Sequence, residues 1–343
     1  VQTLGPTRNS CEIAARLPVE GAAVDRPGEV MVPPKALVNT LRLLGDYSVL
    51  LDYSPDSATL RLQAGESQIS IDCPLPIAYP TEPFRFPAAD SFAPWLEISA
   101  GVLRTMIRRT RSAVDKENLS WFALSGVLWE VEGKVARLVA TDGKRLALCE
   151  GPASVYGPPE PTKGSHLVPA KTMALLERNL IDDGELVRVG LRPNEALFQT
   201  ERTMIYTRLV EGRYPPYRDI LGPARKQAAV KVALPVAPTL AALRLAAVAA
   251  SPARSRLRAG ELWVDLTLRP GELRVSPADH AVPLEDYDGP EVKITFDPLY
   301  LIEFFKQLDS ESTVTLEMSD WTRPALFRCG DGYLYLVMPC ARD

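Results

Sequence analysis

Two short segments of this chain return at a fixed interval. Val32-Pro33-Pro34-Lys35-Ala36-Leu37 comes back as Val168-Pro169-Ala170-Lys171-Thr172-Met173, about 136 residues later. Each reads as a helix opening beside proline, where the missing N–H costs nothing. Thr295-Phe296-Asp297-Pro298-Leu299-Tyr300 opens a third such helix, expected over 298–308. A second pair keeps the same interval: Leu96-Glu97-Ile98 precedes a helix over 100–113, and Val232-Ala233-Leu234 precedes one over 237–250. A period of this size means one unit used several times. The expected organisation is three units, 1–90, 91–221 and 222–343, each built from two strand–helix–strand–strand–strand halves. Stepping one period back from the helix at 100 falls before residue 1, so the first unit is expected to lack its opening half and the natural chain to begin upstream.

Gly126 to Ala147, GVLWEVEGKVARLVATDGKRLA, is the clearest local pattern. Val127, Trp129 and Val131 alternate with Leu128, Glu130 and Glu132, the period-2 signature of a half-buried strand. Glu132-Gly133-Lys134 is a hairpin turn, 137–140 the return strand, and Thr141-Asp142-Gly143 a second turn in which Gly143 is free to take positive φ. The segments 75–87 and 151–165, rich in Pro and Gly, read as linkers.

Composition bounds the function. With 46% hydrophobic and 24% charged residues the chain matches ordinary globular proteins, and it has no apolar run long enough to span a bilayer. The N-terminus VQTLGPTRNS has neither the basic start nor the apolar core of a signal peptide. Five scattered cysteines with no C-x-x-C pair fit reduced thiols in a cytosol. A net charge of −4 argues against a protein that coats nucleic acid. It leaves room for one that holds DNA loosely through a locally positive lining.

Chemistry-bearing motifs are missing. His166 and His280 lie in different units and read as surface or turn residues. No H-E-x-x-H or paired C-x-x-C offers a metal site. Asp142-Gly143-Lys144 lacks the upstream glycine of a phosphate loop, and there is no G-x-S-x-G elbow. No cofactor is expected. The helix at 100–113 has a core stripe of Leu103, Met106, Ile107 and Thr110, and a basic flank of Arg104, Arg108 and Arg111 with Arg109 beside it. That flank is either a solvated surface or a face for a phosphate backbone.

Three ordered segments then resemble one family. VATDGKRLA (139–147), Glu211-Gly212-Arg213-Tyr214-Pro215-Pro216-Tyr217-Arg218, and Tyr335-Leu336-Val337-Met338-Pro339 are similar to signature segments of the bacterial sliding clamp, the DNA polymerase III beta subunit. The resemblance implies an α+β fold of three similar clamp domains, the first truncated at its N-terminus. Helices would line the inner face, antiparallel sheets would lie outside, and one chain would form half of a closed ring. It implies a head-to-tail homodimer that encircles duplex DNA without sequence specificity, and no catalytic site. Polymerase and clamp-loader subunits would dock through short linear peptides, and no membrane is involved.

Positions matching the family's peptide groove are Leu124, Thr141, Gly143, Arg145, Leu146, Pro215, Tyr217, Ile220, Leu336, Met338, Pro339 and Cys340. Tyr300, Thr322 and Pro324 match further wall positions. Leu146, Ile220 and Leu336 are equally readable as plain core. Implied DNA-facing residues are Arg104, Arg108, Arg111, Lys116 and Asn118, with Trp121 matching loosely. For the dimer contact, Phe304, Phe305 and Leu308 are candidates, or else core. Asp219 and the tail Cys340-Ala341-Arg342-Asp343 depart from the family pattern and bear on peptide preference. Two other readings stay open: a clamp-like peptide-binding scaffold that does not encircle DNA, and an enzyme whose site is invisible in sequence.

Overall fold

A computed structural model describes residues 2–3, 13–17, 19, 21–73, 86–92, 94–115, 122–157, 166–226, 228–251, 262–320, 322–330 and 332–340. Lys116, Asn118 and Trp121 lie outside the described residues, as does most of the linker expected at 75–87. The chain divides into two compact units, Val1–Phe86 and Pro87–Asp343.

In the first unit, β1 (Gln2–Thr3) and β2 (Ile13–Arg16) pair antiparallel. Helix α1 (Pro34–Leu44) follows, then a meander of β3 (Leu50–Ser54), β4 (Thr59–Ala64) and β5 (Ser67–Asp72). Pro34 occupies the first turn of α1, and Gly45, at φ 58°, ends it. Leu60, Leu62, Ile71 and Cys73 are the core, with Ala36 and Leu37 of α1 packed on it. Other apolar side chains are left in solvent: Leu43 is 84% exposed, Tyr47 71%, Leu50 57% and Leu51 56%.

The second unit runs β6 (Trp95–Ser99), α2 (Ala100–Arg111), β7 (Gly126–Glu132), β8 (Val135–Thr141), β9 (Arg145–Pro152) and the short β10 (Ser154–Tyr156). Then come β11 (His166–Pro169), α3 (Ala170–Asn179), β12 (Leu186–Leu191), β13 (Glu195–Gln199) and β14 (Met204–Arg208). Helix α4 (Arg218–Lys226) leads to β15 (Val230–Pro235), α5 (Val236–Ala250), β16 (Val264–Arg269), β17 (Glu272–Ser276) and β18 (His280–Pro283). The last group is β19 (Val292–Phe296), α6 (Pro298–Phe305), β20 (Thr313–Met318), β21 (Ala325–Cys329) and β22 (Tyr333–Val337). Strand–helix–three strands thus occurs four times here, and the helix starts at 34 and 170, and at 100 and 236, keep the interval seen in the sequence.

Among the described residues, those of the strands named above that pair with a sequence neighbour do so antiparallel. One sheet runs β14-β13-β12-β6-β10, another β18-β17-β16-β19, and an eight-stranded sheet runs β11-β7-β8-β9-β22-β21-β20-β15. In that last sheet β9 pairs with β22, Leu146 opposite Leu336. Two repeats distant in sequence therefore share one continuous surface, and this sheet carries the candidate site.

Several expectations change. The strand at 126–132 is not half-buried: Val127, Leu128 and Trp129 are all buried. Leu128 belongs to a leucine–tyrosine cluster on one face, while Trp129 packs against Phe198 on the other, ring centroids 5.5 Å apart. The expected linker at 151–165 opens with the end of β9 and with β10. Strands β11 and β18 hold the histidines. His166 is a buried strand residue rather than a surface one, and burial lowers its pKa; His280 is exposed. Phe304 and Phe305 are core, packed among Phe327, Tyr333 and Tyr335, so they do not supply an interface.

Candidate peptide groove and basic helix face

The T-D-G-K-R turn closes on itself. Asp142 Oδ1 accepts the backbone N–H groups of Lys144 and Arg145, both at 3.0 Å. The Thr141 hydroxyl donates to the Arg145 carbonyl at 2.6 Å and accepts the Gly143 N–H at 3.1 Å. Gly143 sits at φ +86°, where a side chain would be strained. Each letter of the motif thus has a local job: an acceptor, a carboxylate clamp and a left-handed residue.

Beyond the turn, strand alternation splits the next two residues. Arg145 turns to the helix side and is only 5% exposed. Its Nε donates to Asp142 Oδ2 at 2.9 Å, and its terminal nitrogens reach the Ser112 carbonyl at 2.7 Å, Glu303 at 2.5 Å and the Tyr335 hydroxyl at 3.3 Å. The guanidinium also lies 4.4 Å from the Tyr300 ring centroid. Arg145 and Tyr300 are therefore a clamp between the turn, the end of α2 and α6. Leu146 turns the other way, into a cluster with Leu124, Leu128, Leu334 and Leu336.

The segment after β14 is pinned across that face. The Tyr214 hydroxyl donates to the Val139 carbonyl at 3.3 Å, and the Tyr217 hydroxyl donates to Glu130 Oε2 at 2.7 Å. Arg218 and Arg137 donate to the same oxygen at 2.7 and 3.2 Å. Burial alone would raise the Glu130 pKa, but these three donors outweigh it and hold the carboxyl below its ordinary value. Burial, and then the bond to Glu130, push the Tyr217 hydroxyl up to about 12.

Tyr217 thereby launches α4. Leu221 and Ala224 of α4 pack on the leucine cluster, while Ile220 faces outward, 51% exposed. Gly222 and Pro223 hide this helix from a propensity reading, and the apolar spacing 217, 221, 224 is the signal that finds it.

An open cleft of about 150 Å3 remains between α4 and the β20–β21 turn, lined by Ile220, Pro223, Ala224, Ser319, Arg323 and Pro324. Of these, Pro223, Ala224, Ser319 and Arg323 were not among the sequence candidates. The tail is tied to the signature turn, where the Met338 N–H donates to the Lys144 carbonyl at 2.9 Å. Leu124, Leu146 and Leu336 are at most 5% exposed and form, with the rest of their cluster, the floor on which Ala224 packs; Ile220 stands at the rim, and Met338 is 40% exposed. Thr322 is exposed and tied by its N–H and hydroxyl to Asp320. Among the described residues no group of three His, Cys, Asp or Glu is placed to hold a metal ion.

On the helix side, Arg104 donates to the Leu180 carbonyl at 2.8 Å and pairs with Asp183. Arg108 and Arg111 both meet Glu177, at 3.5 and 2.9 Å. Arg109 turns inward over the Tyr333 ring, 4.9 Å from its centroid. The basic stripe read from sequence is there, and it carries carboxylate partners that sequence spacing did not reveal.

Residues 97–216 match the family model of the DNA polymerase III beta subunit, central domain. The chain is 28% identical over 328 residues to the beta sliding clamp of Caulobacter vibrioides, covering 93% of this chain and 84% of that one. It is also similar to the crystal structure of the DNA polymerase III subunit beta from Pseudomonas aeruginosa, at 26% identity and a TM-score of 0.76, covering 96% of this chain and 88% of that one. The beta subunit solved from Thermotoga maritima shares the fold, with a TM-score of 0.77 at 22% identity over 97% of this chain and 86% of that one. Signature turn, apolar cleft, repeated architecture and near full-length similarity agree, and each of these comparisons finds the chain similar to bacterial beta sliding clamps.

Proposed function

We propose that this chain is a processivity clamp, in which two copies close head to tail around duplex DNA and hold a polymerase there through its peptide groove. The observation that carries the reading is that α4 and the β20–β21 turn line an open cleft whose Ala224 packs on the buried cluster holding Leu146 of the signature turn and Leu336 of the tail strand. Such a cleft takes Leu or Phe anchors of a short peptide out of water, at roughly 25 cal/mol per Å2. Tethering makes the polymerase's next encounter with DNA intramolecular, so processivity rises without new catalytic chemistry. The expected domains are 1–90, 91–221 and 222–343, with the five repeated helices toward the DNA. Those helices carry nine Lys and Arg against two Glu, in a chain whose net charge is −4. Cation is thus concentrated where loose contact with phosphate is needed. The protein acts in the cytoplasm, and an ATP-driven loader opens the ring.

Retention tests the ring directly. Once loaded, the protein stays on nicked circular DNA and runs off the same DNA after linearisation; equal loss from both rejects encirclement. The groove is tested at its exposed rim, since Leu146 is floor and its truncation would disturb the core. Ile220→Ala with Met338→Ala lowers affinity for a short Leu/Phe-anchored polymerase peptide at least tenfold, about 1.5–3 kcal/mol being available per fully buried aliphatic anchor. Dimer mass stays unchanged. Unaltered peptide affinity in a titration calorimeter would reject the groove assignment.

A further inference from the structure

The arginine stripe of α2 is already occupied by anions. Glu177 of α3 contacts both Arg108 and Arg111, one turn apart on α2, and Asp183 takes Arg104. The Glu177 side chain is 17% exposed, against 54% for Arg108 and 41% for Arg111, so the carboxylate sits beneath two cations that remain open to solvent. Docking of α2 and α3 does not require this pair: Leu103, Met106 and Ile107 of α2 and Met173 and Leu176 of α3 are buried apolar residues. Ion pairs with exposed partners add little to stability. Their effect falls instead on whatever anion approaches next.

Resting on the clamp reading, we propose that Glu177, assisted by Asp183, is a built-in counter-anion that competes with DNA phosphate for the α2 arginines and keeps the hold on DNA weak enough to slide. An arginine that grips phosphate must leave its carboxylate, and a phosphate drawn in without that exchange meets the negative charge of Glu177. Either way the net gain per contact is small. Because a single carboxylate restrains two arginines, removing one charge releases two phosphate contacts. Each new contact steepens the dependence of log K on log salt by about 0.9.

The test uses the full chain and a short fluorescent duplex, with anisotropy read across a salt series. Glu177→Gln, which keeps the side-chain shape, binds about tenfold more tightly at low salt, and its salt slope steepens by about one to two. Adding Arg108→Gln and Arg111→Gln to that variant cancels the gain. Asp183→Asn, at an exposed position, gives a smaller gain through Arg104 and decides the matter if Glu177→Gln does not fold. Wild-type affinity and slope in a folded, dimeric Glu177→Gln, or a gain that survives loss of both arginines, overturns the proposal. Failure of the clamp reading itself appears separately, as a wild-type protein that leaves circular and linear DNA alike.

Discussion

Leu245→Asp with Val248→Asp converts the protein from dimer to monomer at micromolar concentration and abolishes its retention on circular DNA. The two side chains stand on successive turns of α5, 52% and 69% exposed. Nothing in the fold of this unit uses them. The first unit leaves its own apolar side chains in water, Leu43, Tyr47, Leu50 and Leu51. In the head-to-tail pair proposed above, one set is expected to lie against the other, out of solvent. Full burial of a Leu or Val stabilises by about 1.5–3 kcal/mol, and an aspartate placed there adds an unpaired charge. The dimer dissociation constant therefore weakens at least a hundredfold, since each 1.4 kcal/mol is tenfold. Light scattering should also give a monomer for Leu43→Asp, from the opposite side of the contact. Thermal melting stays near wild type, because neither position is core. A dimer of undiminished mass in both variants excludes these surfaces as the interface.

Arg145→Ala has the largest effect on stability. This guanidinium joins Asp142, Glu303, Tyr335 and the Ser112 carbonyl at 5% exposure. Truncation takes one donor away from each of two carboxylates and a carbonyl, and removing one partner of a buried pair costs about 3–5 kcal/mol. For a unit of this size the melting temperature falls by about 10 °C, at about 2–4 °C per kcal/mol. Peptide binding falls with it, because the same turn supplies the Lys144 carbonyl that holds Met338. Arg145→Lys keeps the charge but not the fork, and recovers only part of the loss. Calorimetric melts of the three proteins check this order; an alanine variant as stable as wild type would mean the clamp contributes nothing.

These two residues types mark how far the sequence could be read. The α5 helix and the signature turn were both visible as patterns. The sequence did not tell which leucines face solvent, since Leu243 and Leu245 look alike until the first is found fully buried and the second half in water. Nor did it pair Arg108 and Arg111 with Glu177, 66 residues or more away. Helix α4 was missed because Gly222 and Pro223 lower its local preference, and what holds it is tertiary: Leu221 and Ala224 on the leucine cluster, and Tyr217 and Arg218 on Glu130.

By itself the sequence determined the repeat, the helix starts, the strand alternation and the closed T-D-G turn. All of these depend on residues close together along the chain, where backbone preference and side-chain spacing act directly. Only the tertiary structure decided that β9 joins β22, that Leu146 is floor and Ile220 rim, that Arg145 is a buried clamp, and that the basic stripe arrives already paired. Each of those depends on which distant segments share a surface, and that is settled when apolar faces are buried together rather than by any local pattern.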